Sequence, residues 1–292
     1  MLITLSMPKN FSYPELETAK ENWKYIPQQA CLKGKNILVT GASSGIGSTA
    51  AKTFASYGAN IILLGRNQGR LESNFDWIEN STNTKPVIVP CDLLRLTDES
   101  ADSLYDAIQN SYGELHGILH SAALLGTKIP ISDYQSEEWS RVMQVNAFAP
   151  FLLTRTLLPL MTSNKESASI IFLSSTVGRK GRAYWGAYAM SKKTIEGLME
   201  VLSDEHANIN DLKINTVNPG ATRTPMRAMA YPAENAKEVP PAEEKMDLLI
   251  YLMESTTKKI TGEALSSSDW SPKRLELEST QTFSGRSSPH RP

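Results

Sequence analysis

The sequence predicts an α/β protein, a doubly wound parallel sheet with helices on both faces in three layers. Three observations carry that expectation. Short apolar runs recur along the chain with little polar alternation, as strands buried on both faces require. Between them lie segments with apolar residues three and four apart, the period of an amphipathic helix. The first run leads straight into a glycine-rich turn that opens such a helix. Strand–helix alternation at this spacing implies right-handed crossovers and a parallel sheet.

In order, the expected strands are Asn36–Thr40, Asn60–Leu64, Val87–Pro90, Gly117–Ser121, Ser169–Ser174 and Lys213–Val217. Ile46–Tyr57, Ser100–Ser111 and Ala187–Glu205 carry the helical period most plainly. Residues 1–30 are interrupted by Pro8, Pro14 and Pro27 and read as an extension, with a short helix possible over Glu15 to Tyr25. Residues 31–265 form the expected domain. Residues 266–292, rich in Ser, Pro and Arg, read as a disordered tail.

Composition closes several doors. With 292 residues, 40% hydrophobic, the chain is long enough to bury a full core without staples. A net charge of −1 lacks the basic surplus that neutralises phosphates, so no nucleic-acid partner is expected. Cys31 and Cys91 have no paired spacing, and of the four histidines His116 and His120, four apart, fall at an expected strand rather than on a helix, so neither a disulfide scaffold nor a metal site is expected. No apolar run approaches membrane-spanning length, and Met1 to Leu5 is too short for a signal peptide. The expectation is a cytoplasmic protein without a membrane partner.

The turn reads Thr40-Gly41-Ala42-Ser43-Ser44-Gly45-Ile46-Gly47. Gly41 permits the tight turn, Gly45 lets backbone approach a pyrophosphate, and Gly47 lets the helix pack on the sheet. The helix N-terminus then offers N–H groups and a positive dipole end to the anion. An ordinary glycine-rich turn is the alternative. The strand before and the helix after favour a dinucleotide site, and the missing Lys-Ser/Thr argues against an NTPase loop.

With this motif the chain resembles the short-chain dehydrogenases/reductases, in their compact single-domain branch, over about Leu32 to Leu265. The resemblance implies that Gly41, Ser43, Ser44, Gly45, Ile46 and Gly47 bind the cofactor. Tyr188-Ala189-Met190-Ser191-Lys192 matches that family's Y-x-x-x-K. Positions i and i+4 share a helix face, so the Lys192 ammonium can lie close to the Tyr188 phenol. A free phenol has a pKa near 10, and lowering it by ~3 units takes about 4 kcal/mol from nearby cations. That tuning suits a proton donor and acceptor for a carbonyl or alcohol oxygen. A surface helix with a snorkelling lysine is the alternative.

Ser175 stands thirteen residues ahead of Tyr188, the family's spacing for a serine that donates to the substrate oxygen. Ser174 is its rival. Asn146 matches the fourth catalytic position, where the resemblance implies a helix kink and a water linking Lys192 to solvent. Tyr188, Lys192 and Asn146 are expected to touch the cofactor as well. Asp92, followed by Leu93, matches the position that meets the adenine amino group, with helix capping as the plainer role. Pro219, Gly220 and Thr224 match P-G-x-x-x-T on the nicotinamide side, with Thr222 as rival for the carboxamide.

Two segments depart from the family pattern. His120-Ser121-Ala122-Ala123 stands where N-N-A-G is usual, which adds a methyl group at Ala123 near the cofactor; His120 reads as structural. Ser266-Ser267-Ser268-Asp269-Trp270 replaces the usual D-G-G ending. After the second strand comes Gly65-Arg66, with no acid for a ribose hydroxyl and a guanidinium able to grip a 2′-phosphate. This favours NADP over NAD.

By family position the resemblance implies a pocket wall of Leu124, Leu125, Val177, Tyr184, Trp185, Met226 and Met229, and so a small, apolar carbonyl or alcohol substrate. Arg179, Lys180 and Arg182 could meet an anionic group, although a solvated turn explains them. Several internal segments, GRAYWGAYAMSK and TRTPMRAMAYP among them, are similar to the bacterial YciK-type oxidoreductases. The resemblance implies a homodimer or homotetramer. The competing reading is a catalytically weak, NADP(H)-binding regulator on the same fold.

Overall fold

The computed structural model describes residues 25–163, 167–207, 211–254 and 260–270. Seven strands form one sheet: β1 (Asn36–Thr40), β2 (Asn60–Gly65), β3 (Val87–Pro90), β4 (Gly117–His120), β5 (Ala168–Leu173), β6 (Leu212–Asn218) and β7 (Ala264–Ser266). Their order is β3-β2-β1-β4-β5-β6-β7, and every neighbouring pair is parallel. Six coincide with the expected runs to within a residue. β7, three residues long, carries too little pattern to be seen in the sequence.

The strand order reverses beside β1, where β2 and β4 flank it. Thr40 is in register with both Leu64 and His120, so these strand ends open one crevice at the switch point. The helices are α1 (Gly45–Ser56), α2 (Gln68–Ser81), α3 (Asp98–Tyr112), α4 (Ser136–Met143), α5 (Ala149–Thr162), α6 (Thr176–Arg179), α7 (Gly186–Glu205), α8 (Pro225–Ala230) and α9 (Met246–Met253). A π turn, Gln144–Phe148, joins α4 to α5.

Alternate strand residues feed two cores. Ile37, Val39, Ile61 and Leu63 pack with Phe54 and Leu249 on one face. Leu38, Ile62 and Leu64 pack with Leu152, Leu157 and Phe172 on the other. Both faces are dry, which is why the strands read as unbroken apolar runs. No helix among the described residues is long and apolar enough to cross a membrane.

The packed body runs past both expected domain boundaries. Tyr25 meets Tyr251 edge-on, with ring centroids 5.2 Å apart, and lies 6.1 Å from Trp270. Trp270 lies 5.4 Å from Tyr251. An extension ending at residue 30 and a tail starting at 266 therefore each lend residues to one aromatic cluster. The possible helix at Glu15 to Tyr25 falls outside the described residues apart from Tyr25, and the tail beyond Trp270 falls wholly outside them.

Candidate active site

The glycine turn is shaped by close approaches. Gly41 has φ +67°, and a Cβ there would stand 2.8 Å from the Ala122 Cα. A Cβ at Gly47 would stand 2.5 Å from the Gly41 carbonyl oxygen, so α1 can pack this closely only with glycine there. Asn74 of α2 braces the turn: its Nδ2 donates to the Ala42 carbonyl at 2.7 Å, and its Oδ1 accepts from Ser48 at 3.0 Å. Asn74 was not legible in the sequence, since its partner lies thirty-two residues away.

Ser44 is the N-cap of α1, yet its side chain makes no capping bond, and the first turn carries no acid. The helix end thus keeps its N–H donors for an anion. Arg66, exposed, follows β2 on the same cleft of about 330 Å³. Gly41, Ser43, Ser44, Gly45, Ile46, Asp92 and Leu93 also line it. These donors fit a dinucleotide with an extra phosphate. Asp92 additionally accepts from the Leu94 amide at 3.2 Å, so it caps a short turn while facing the cleft.

The sheet edge then supplies the polar side chains. β5 ends at Leu173, and Ser175 begins α6 as its N-cap. Ser175 lies close enough to the Tyr188 phenol to pull its pKa down, while Ser174, its rival, lines the cleft beside Tyr188. Lys192, one turn along α7, is buried, with its Nζ 5.6 Å from the Tyr188 ring centroid. It donates to the Leu173 carbonyl at 2.7 Å. Gly178 permits this crossing, because a Cβ there would stand 2.8 Å from the Lys192 Cβ.

Electrostatics here differ from the expected lowering of the phenol. Burial pushes Tyr188 up to about 12, against a smaller downward pull from the Ser175 hydroxyl. Burial also pulls Lys192 down to about 8, with Glu196 opposing. Lys192 is held on a carbonyl, and desolvation outweighs its influence on the phenol. At neutral pH Tyr188 is therefore a protonated acid beside a cationic lysine.

Asn146 sits in the π turn, at the expected kink. Its Oδ1 accepts from the Leu124 amide at 2.7 Å, and its Nδ2 donates to the Leu124 carbonyl at 2.8 Å. Nδ2 also reaches Ser191 Oγ at 3.0 Å, which in turn donates to the Tyr188 carbonyl at 2.8 Å. Asn146 thus ties the loop after β4 to the Tyr188–Lys192 turn of α7, and Lys192 is not among its hydrogen-bond partners. Ser191 could have been found as the polar residue inside the Y-x-x-x-K turn.

Other expected residues divide. Thr224 caps α8 by accepting from the Arg227 amide at 3.1 Å, and it lies against Gly45, whose Cβ would stand 3.2 Å from its Cγ2. Pro219 and Thr224 line the cleft. Thr222 is buried and turns its hydroxyl to the Pro219 and Gly220 carbonyls at 3.4 and 3.3 Å, so the threonine at the cleft is Thr224. Gly220, with φ +69°, shapes the turn from outside the lining.

His120 packs. Its ring stacks on Phe172 at 4.8 Å and 6°, and its Nε2 is 3.0 Å from Thr154 Oγ1. Burial, then the Lys192 charge, holds it down at about 3, so it is neutral. Arg179 is neither a solvated turn residue nor open to a substrate anion. It pairs with buried Glu196 at 3.6 Å and donates to Ser266 Oγ at 2.9 Å and the Leu265 carbonyl at 2.6 Å. Lys180 and Arg182 are exposed.

Comparison with known proteins finds relatives across most of the chain. A family model described as short chain dehydrogenase matches residues 35–235. The oxidoreductase YciK of Escherichia coli (strain K12) is 45% identical over 238 residues, which is 82% of this chain and 93% of that protein. A short chain dehydrogenase from Shigella flexneri, solved in complex with NADP, superposes with a TM-score of 0.80 at 43% identity, covering 83% of this chain and 100% of that one. Another from Escherichia coli CFT073, complexed with NADPH, gives 0.80 at 44% identity with the same coverage.

Proposed function

The chain belongs to the short-chain dehydrogenase family, and from that premise we propose that it is an NADP(H)-dependent oxidoreductase acting on a small, apolar carbonyl or alcohol. One observation carries the reading: Tyr188 and Lys192 line the same cleft as the glycine turn and Arg66. Solved relatives that hold NADP or NADPH support the cofactor choice.

Bound NADP(H) supplies or accepts the hydride. The turn and the α1 N-terminus would hold its pyrophosphate, Arg66 its 2′-phosphate, Asp92 its adenine end and Thr224 its nicotinamide end. In the reducing direction Tyr188 Oη gives its proton to the substrate oxygen as the carbonyl carbon gains hydride, so that C=O becomes CH–OH. Ser175 donates to the same oxygen, where negative charge gathers. Lys192 then stabilises the phenolate left behind. The protonation states described above, acid and cation, suit reduction at neutral pH.

Leu124, Leu125, Met226 and Met229 give the substrate end apolar walls. Exposed Phe148 and Phe151, beside the start of α5, support a homodimer or homotetramer, and two free cysteines suit a cytoplasmic setting. A panel of aldehydes, ketones and quinones, followed by NADPH consumption, tests the reading. Turnover with NADPH, and weaker turnover with NADH, is expected. Tight NADPH binding with no turnover across the panel would instead favour the regulatory protein.

A further inference from the structure

Three segments around the substrate end of the cleft meet at one side chain. Lys128, in the loop after β4, donates from Nζ to the Ala230 carbonyl at 2.7 Å, the last residue of α8. The same ammonium stands 4.8 Å from the Trp185 ring centroid and 4.6 Å from that of Tyr231. Those two rings are 5.9 Å apart. Arg227 also lies over Tyr231, at 3.8 Å, with its charge taken by Glu234. Lys128 is thus the cation that joins Trp185 to Tyr231.

What it joins matters for the reaction. α8 carries Met226 and Met229, both on the cleft wall. Trp185 is the N-cap of α7, and its ring centroid is 5.8 Å from that of Tyr188. A helix of six residues cannot hold its place by its own hydrogen bonds. Its C-terminal carbonyl and the ring that follows both rest on Lys128. On the other side, Tyr184 holds φ +71°, a backbone state that a non-glycine residue keeps only when its surroundings enforce it. The clamped neighbour Trp185 is part of that enforcement.

We propose that Lys128 is a specificity-determining residue, which latches α8 against Trp185 and so fixes the distance between the methionine wall and the Tyr188 phenol. The proposal rests on the oxidoreductase reading above. With the latch closed, the cleft takes a slender carbonyl compound and rejects one branched beside the carbonyl. Released, α8 moves outward and the discrimination falls. Lys128 lines neither the dinucleotide nor the proton path, so cofactor affinity does not depend on it.

The test uses the full chain, NADPH and two isomeric aldehydes, pentanal and pivaldehyde, with Lys128→Met and Lys128→Arg. Lys128→Met should narrow the kcat/KM ratio between them about fivefold, the worth of one partly exposed cation–π contact. The change should appear chiefly in KM, with NADPH affinity unchanged, and Lys128→Arg should restore the ratio. Hydrogen exchange at the Ala228 and Tyr231 amides, bonded to the Thr224 and Arg227 carbonyls, should accelerate in Lys128→Met alone. An active wild type with an unchanged ratio in Lys128→Met overturns the latch, and so does a failure of arginine to restore it. If wild type reduces no carbonyl at all, the oxidoreductase reading fails instead. Exchange then judges the latch by itself, and unchanged rates sink it.

Discussion

Two buried lysines stand at opposite ends of the sheet, each near a tyrosine, and only one of them faces a cleft. Burial pulls Lys192 and Lys213 down to about 8 alike. Each donates to a backbone carbonyl, Lys192 to Leu173 at 2.7 Å and Lys213 to Glu254 at 2.5 Å. Burial also raises both tyrosines, Tyr188 to about 12 and Tyr25 well above its usual range. The surroundings separate them. Tyr25 donates to the Glu254 carboxylate and is packed against Tyr251 and Trp270. Tyr188 faces a cavity. A displaced pKa alone therefore does not mark a site; the open space beside it does.

Neutral polar groups do not divide as cleanly, since Ser169 Oγ, in register with Lys213, is buried without a protein partner. At the closed end Asn36 donates to the Glu114 carbonyl at 3.1 Å and accepts from Asn60 at 3.0 Å, while its amide meets His116 Nδ1 at 3.1 Å. At the cleft end Ser174 Oγ and His120 Nδ1 are buried with no protein partner. Groups left unsatisfied cost stability, so they persist where function needs them or where water reaches.

The largest expected effect separates the two tyrosines. Tyr188→Phe should lower turnover by at least ~10²-fold, the lower end for losing a general acid, with the melting temperature nearly unchanged. Tyr25→Phe should do the reverse, costing about 1.5–3 kcal/mol for a hydrogen bond to a charged group while activity is kept. Single-turnover NADPH oxidation and thermal melts on both variants decide it. If Tyr25→Phe abolishes turnover at an unchanged melting point, the division of the molecule into a working end and a holding end is wrong.

Next comes Arg66→Ala, which removes a guanidinium from the rim of the cleft. It should weaken NADP by about tenfold or more, the worth of a charge-assisted bond, and leave NAD nearly untouched. Fluorescence titration of both cofactors reads the difference. Equal weakening of the two would place the 2′-phosphate elsewhere.

The working end was more legible than the holding end. Gly41, Gly45 and Gly47, the Tyr188–Lys192 spacing and Arg66 are local patterns, whose meaning lies within a few residues. The holding end is assembled from residues far apart in the chain: Tyr25 bonds to Glu254, and Asn36 to Glu114. No spacing announces such pairs. Thr222 and Thr224 show the same limit at short range, since two threonines two residues apart differ only in which way the turn points them. Arg179 shows it again, because β7, which receives it, is too short to be seen in the sequence.

A subtler change tests the role proposed for Lys192. Glu196 follows Lys192 by one helical turn, accepts from Thr216 at 2.6 Å and raises the lysine pKa against burial. Glu196→Gln keeps the side chain's shape and an oxygen for Thr216 but removes the charge. Lys192 should then lose its proton at lower pH, and the alkaline limb of kcat/KM should move down. An unmoved limb with unchanged stability would show that Lys192 does not set it.

The smallest effect belongs to Lys213 and shows itself only through pH. Its native pKa is about 8, below its unfolded value of about 10.4. Between those two pH values the unfolded chain holds a proton that the native chain has released. Unfolding then takes up a proton, and stability contributed by this group rises with pH across the window. Lys213→Met removes that contribution. At pH 7 the variant loses one donor to the Glu254 carbonyl but also the cost of burying a charge, so its stability should lie close to wild type. From pH 8 toward pH 10 the wild type should gain on the variant, as urea melts at matched pH would record. Other groups that titrate in this range, Cys31 and Tyr25 among them, are common to both proteins and cancel in the difference unless they sense Lys213 directly. A gap that stays flat or closes as pH rises would mean that Lys213 keeps its proton in the folded chain, held by Glu254, and that the two ends of the sheet differ in charge as well as in exposure.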